Sequence, residues 1–261
     1  MAEKNEVAVT FSQQLTDKLI CIQEALPKDF NRTRFVQNAI AVINEKPELA
    51  KVNKGQLMLG LVKGALLNLD YANKEFYLIP YNSNVNFQID YRGLKKVAKN
   101  YSMRKIKDID AWIVREGDVF EYEKDGDKQY TRFKPVPFSN KDIVGAFCEI
   151  QYEDGCTHVE IMSVEDIQSV RNNYSKQKNG TSWTKSFDQM CLKTIIRRAT
   201  KTVEIDFASM DARNVWDEDS DMNFIKKERN TDVVDVFTVD NPTDIEVEST
   251  VVESEEQVNA D

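Results

Sequence analysis

Two runs of basic side chains carry most of the chemistry open to this sequence. The first is Arg92, Lys95, Lys96, Lys99, Arg104, Lys105 and Lys107, with no acid from Tyr91 to Lys107. The second opens with Arg171, Lys176 and Lys178 and continues through Lys185, Lys193, Arg197, Arg198 and Lys201, interrupted by Asp188 alone. Cations dispersed along a path are what a polyanion meets best, because each neutralised phosphate releases counterions. A protein blind to base sequence also needs flat side chains to meet the bases. Tyr81, Gln88 and Tyr91 precede or join the first run, and Trp183 lies within the second. A lysine run alone would equally describe a solvated surface, so the elements that carry these residues decide between the readings.

From Trp183 to Lys201 the chain has no Gly or Pro and five basic residues against one acid. Helical spacing puts Lys193, Arg197 and Lys201 on one face, with Arg198 at its flank. Cys191, Leu192, Ile195, Ile196 and Ala199 fall opposite. Projected back along one continuous helix, Trp183, Phe187 and Met190 share the basic side. Two readings of Trp183 stand at this point, a base-stacking side chain or a core residue beneath the basic face.

Catalytic groups are sparse. The sequence has neither the Gly-x-x-x-x-Gly-Lys-Ser/Thr phosphate loop nor a Gly-x-Ser-x-Gly elbow. His158 is its sole histidine, which removes the commonest general base from most arrangements. No acid precedes a lysine by two positions, as one common nuclease half-site requires. Asp108, Asp110, Glu116 and Asp118 are the candidate metal ligands of a nuclease alternative, but their alternation fits a solvated strand face. Cys21, Cys148, Cys156 and Cys191 lack zinc-site spacing and read as reduced thiols.

Charge is segregated along the chain. The formal net charge is -9, yet from Glu204 onward 18 acids face four bases, leaving 31 bases and 26 acids before it. A mildly basic body with an acidic tail is a polarity expected of polyanion binders. No apolar run approaches the roughly 20 residues that span a bilayer, and the first residues lack a signal-peptide pattern. The expected location is the cytoplasm.

The fold class expected is α+β. Helical periodicity from Phe11 to Ala25, Thr33 to Asn44 and Lys54 to Leu67 predicts an N-terminal helical cluster. Phe76–Ile79 and Val85–Ile89 read as short strands joined by a turn over Pro80–Asn84, and Leu94–Lys99 as a short helix. Ile106–Val114, Val119–Tyr122, Tyr130–Phe133, Ile143–Tyr152 and Thr157–Ile161 read as a central antiparallel sheet, with Asp125-Gly126 and Asp154-Gly155 as turn pairs. Ser163 to Asp166 forms a capping box opening a helix to about Asn172. The long basic helix follows, and periodicity fades after about Asp211. The expected organisation is a flexible stretch over residues 1–10, a functional domain over 11–225 and a disordered acidic tail over 226–261.

Leu69-Asp-Tyr-Ala-Asn-Lys-Glu-Phe-Tyr-Leu-Ile-Pro-Tyr81, followed by Val85-Asn-Phe-Gln-Ile-Asp-Tyr-Arg-Gly-Leu94, closely resembles the RecT family of phage and prophage recombinases. The segment from Trp183 to Arg198 resembles that family's second signature, departing from it at Cys191, where alanine is frequent. The resemblance spans roughly residues 10 to 215. It implies a non-catalytic, ATP-independent protein without a cofactor that binds single-stranded DNA and anneals complementary strands through a duplex intermediate. It also implies assembly into rings or helical filaments, a β-β-β-α core, a 5′-to-3′ exonuclease partner and a bacterial host cytoplasm. A host single-stranded-DNA-binding protein is a further candidate partner, and a passive single-strand coat protein is the alternative function. On this reading Lys193, Arg197, Arg198 and Lys201 line one wall of a DNA groove and Arg92, Lys95 and Lys96 the other. Lys176 and Lys178 close over it, with Lys185, Trp183, Tyr81, Gln88 and Tyr91 alongside. The acidic tail is read either as a solubilising extension or as a docking or autoinhibitory segment.

Overall fold

The computed structural model describes residues 2–81, 84–126, 128–175 and 177–221. It is α+β, with antiparallel pairing throughout its described strands. The tail expected from residue 226 lies outside the described residues, as does Lys176.

The N-terminal helices form because their apolar residues recur at helical spacing. Helix α1 (Ala2–Cys21) buries Phe11, Leu15 and Leu19 and packs on α2 (Arg32–Glu45), which buries Phe35, Val36 and Ala39. It starts ahead of Phe11, within the stretch read as flexible. Asn31 caps α2, its side chain accepting from the Arg34 amide at 3.0 Å. Asn53 caps α3 (Lys54–Leu66) by accepting from the amides of Gly55 and Gln56, satisfying donors that a helix start leaves open.

Strands β1 (Phe76–Tyr81) and β2 (Asn84–Ile89) form a hairpin seated on α3. Gly64 makes the close approach possible: a Cβ there would lie 2.6 Å from the Phe76 ring. Pro80 does not end its strand as expected. It pairs with Val85, and β1 continues to Tyr81 opposite Asn84. Proline is tolerated because, among the described residues, β1 has no strand on its other side to receive an N–H. Helix α4 (Tyr91–Tyr101) follows at once, capped by Asp90 and longer than the sequence suggested at both ends.

The main sheet has the order β3-β6-β7, from Ile106–Arg115, Ile143–Tyr152 and Thr157–Ser163. Among the described residues, hairpin β4–β5 (Val119–Asp125 and Lys128–Lys134) pairs only with itself, and it lays Phe120 and Phe133 on Phe147. The five strands expected as one sheet are therefore a three-stranded sheet and a separate hairpin. On the opposite sheet face Ile109, Ala146, Cys148, Ile150 and Met162 join the main core.

Helix α5 (Val164–Tyr174) opens with the expected Ser163–Asp166 capping box. Helices α6 (Thr181–Lys185) and α7 (Phe187–Lys201) come next, with α7 lying across all three sheet strands. The last described element is α8 (Met210–Asp221), a helix in the region where periodicity was expected to fade. No helix among the described residues is long and apolar enough to cross a membrane.

Candidate nucleic-acid interface

The basic helix is not continuous. Ser186 (φ -135°, ψ 45°) separates α6 from α7, so the helical phase counted from Lys201 does not extend back to Trp183. Trp183 is buried, its indole N–H donating to Ser175 Oγ at 3.1 Å while Phe187 lies 6.2 Å away. The Arg171 guanidinium sits 5.8 Å from the ring. Of its two readings, the fold realises the core one, and the indole ties the loop after α5 to the start of the basic segment.

The face of α7 expected to line a groove is largely covered. Arg197 is 5% exposed. Its guanidinium donates to the Ile89 carbonyl at 2.9 Å, to the Asp219 carbonyl at 3.2 Å, and forms an ion pair with the Asp219 carboxylate. Asp219 also accepts from the Ile89 amide at 3.1 Å. One arginine thus joins α7 to α8 and to the end of β2, and its expected solvent-facing role is corrected to an interior one. Lys193, one turn earlier, is half-buried, and burial followed by the Arg197 charge pulls its pKa below the ordinary lysine value.

Farther along α7 the cations reach the surface. Arg198 donates to Glu160 at 2.6 Å. His158, then Arg198, hold the Glu160 carboxyl below its usual range against partial burial. Lys201 is half-buried at a cleft lined also by Met103, Glu204, Phe207 and Asp217. Cys191 is fully buried in the main core, and burial pushes its thiol up to about 12, so a small apolar residue suits the position.

Helix α4 presents the other basic set. Arg92 is exposed, donating to the Tyr91 hydroxyl at 3.2 Å with its guanidinium 5.4 Å from that ring. Lys95 lies 3.6 Å from Asp110, Lys96 2.7 Å from Glu75 and Lys99 2.7 Å from Asp108. These lysines are each about one-third exposed. Leu94, Val97 and Ala98 fill the buried side, so the cations form the outer ridge. Helices α4 and α7 pack together, which brings the two basic segments onto neighbouring elements.

The remaining expected residues are more scattered. Gln88 is half-buried on β2 opposite Tyr77, and Tyr81 occupies the end of β1 opposite Asn84. Lys178 and Lys185 are exposed, and the Lys178 carbonyl accepts from Arg171 at 2.7 Å. Sequence reasoning missed Trp112, the most exposed of the indoles at 36%. Its sequence signal is its place in the Asp108, Asp110, Trp112 alternation, on the same side of the strand as the two acids.

Three of the four carboxylates of the nuclease alternative, Asp108, Asp110 and Asp118, have structural partners. Asp108 meets Lys99 and the Ile109 amide, and Asp110 faces Lys95. Asp118 accepts from the amides of Arg115 and Val136 at 2.8 and 2.7 Å. Among the described residues no group of three or more His, Cys, Asp or Glu is arranged to hold a metal. The four cysteines are free thiols.

What this arrangement offers is therefore a set of surface cations on rigid helices, and chain relationships agree with that chemistry. The RecT family model matches residues 33–234. Protein RecT of Escherichia coli (strain K12) is 28% identical over 214 residues, which covers 78% of this chain and 78% of the relative. With the match reaching from α2 past α8, the chain belongs to the RecT family, whose members are single-strand annealing proteins of DNA recombination.

Proposed function

We propose that the protein binds single-stranded DNA without ATP, oligomerises on it and anneals complementary strands in phage-type recombination. The observation that carries this reading is the α4 ridge, where Arg92, Lys95, Lys96 and Lys99 project from a helix anchored in the first family signature. Annealing makes and breaks no covalent bond. It requires the phosphates to be held while base edges stay open, and screening of the charge between two incoming strands. Cations spaced along one helix meet the first requirement.

In this reading the contacts come from the α4 ridge with Arg198, Lys176, Lys178 and Lys185. Lys193 and Lys201 border the path, with Tyr81, Gln88 and Tyr91 on its hairpin side. Arg197 and Trp183 act beneath it as supports. Strands β3, β6 and β7 with α7 form the β-β-β-α core. The protein works in the cytoplasm of a bacterial host beside a 5′-to-3′ exonuclease, with a host single-stranded-DNA-binding protein as a further candidate partner.

Removing ridge cations gives a direct test. Arg92→Ala with Lys95→Ala and Lys99→Ala should weaken binding to an oligothymidylate. The log–log dependence of affinity on salt should become shallower by about 0.7 per cation that contacts a phosphate, or roughly 2 in all. A folded triple variant with unchanged affinity and salt slope would contradict the assignment.

A further inference from the structure

We propose that Trp112 is a base-stacking site at the end of the α4 basic ridge, a position for one nucleobase of a bound single strand. The inference rests on the single-strand reading above and names a contact within it. Trp183 and Trp216 are buried at 6% and 7% exposure, while Trp112 is 36% exposed. Its ring is not loose. It stacks on Phe147 with centroids 5.1 Å apart and planes 23° from parallel. Phe147 is itself 1% exposed and held by Phe120 at 4.7 Å and Phe133 at 5.2 Å. A ring supported from below loses little freedom when a second flat group meets it.

The spacing of two ion pairs between α4 and β3 points the ridge toward this ring. Strand β3 is an edge of its sheet, and Asp108, Asp110 and Trp112 alternate along one side of it. Lys99 meets Asp108, and Lys95 meets Asp110. Each step thus advances four residues along α4 and two along β3, about 6 Å and about 7 Å respectively. One further step of the same spacing leads to Tyr91, next to Arg92, on the helix and to Trp112 on the strand. Ion pairs this exposed are weak, so the lysines can exchange carboxylate for phosphate. A strand following the ridge would bring a base to the indole.

The test uses the full chain and an end-labelled oligothymidylate, with binding followed by anisotropy and tryptophan emission followed separately. Wild-type emission should fall on saturation. That fall should be lost in Trp112→Phe, which keeps a ring on Phe147, and retained in Trp216→Phe. Trp112→Ala should weaken binding by about five- to 150-fold, the range measured for removing one stacking aromatic. Binding accompanied by an undiminished fall in Trp112→Phe would overturn the stacking site alone. No anisotropy change with wild-type protein would overturn the single-strand reading, and the stacking site with it.

Discussion

Replacing Arg197 with methionine should cost about 3–5 kcal/mol of folding stability, the usual penalty for removing one partner of a buried ion pair. The methionine fills much of the space but takes the guanidinium away from the buried Asp219 carboxylate, and the Ile89 carbonyl loses the hydrogen bond that Arg197 donates. Three elements lose a common anchor, since the pair joins α7, α8 and the end of β2. Thermal unfolding should register a large fall in Tm. Arg197→Met combined with Asp219→Leu should recover part of the loss, because it removes both buried charges together. If Arg197 were instead a groove residue, the single variant would unfold normally and show only weaker, less salt-dependent DNA binding.

Gly93→Ala should also be severe, losing at least the 1–3 kcal/mol typical of an overpacked interior. Gly93 lies on the buried side of α4, where a Cβ would collide with the backbone carbonyl oxygen of Glu75 and lie 2.8 Å from Ile89 Cγ2. A side chain could rotate away; the carbonyl cannot, since it accepts the Asp90 amide at 3.0 Å and so fixes the start of α4. The helix would have to lift from the β1–β2 hairpin, carrying Arg92, Lys95 and Lys96 with it. Chemical denaturation should reveal the loss of stability. DNA affinity should fall in parallel if the ridge is the contact surface. A variant with wild-type stability would show that α4 is free to shift.

Much of this fold was legible because local rules agree with tertiary ones. Asp125-Gly126 and Asp154-Gly155 mark real turns, with both glycines at positive φ, and Ser163 with Asp166 caps α5. The failures have specific physical causes. Helix α8 carries Ala212, Val215, Trp216 and Asp219 on its buried stripe, so an acid occupies one of the positions that periodicity needs to be apolar. That acid is the partner of Arg197, 22 residues earlier. Periodicity assigned Arg197 to a face of α7, but the identity of what covers a face is a long-range property. Trp183 was misphased for a local reason, since a single non-helical residue at Ser186 resets the count. The strands around Phe120 and Phe133 were recognisable individually, while their separation into a self-paired hairpin depends on contacts with Phe147.

The placement of the site follows the same division. The α4 ridge was readable because an uninterrupted basic run coincides with a helix. The interior role of Arg197 and the exposure of Trp112 required the fold. The signature residues accordingly serve two purposes: Gly93, Arg197 and Trp183 hold the helices in place, while Arg92 and Arg198 remain at the surface.

The central claim is strand annealing, and the most direct measurement is the rate of duplex formation between complementary oligonucleotides mixed with the purified full chain. It should be made with and without ATP and with and without Mg²⁺, and the strand lengths checked afterwards. The account predicts faster pairing that does not require ATP and leaves both strands intact. Slower pairing would identify a passive coat protein, and shortened strands a nuclease; either result would contradict the account.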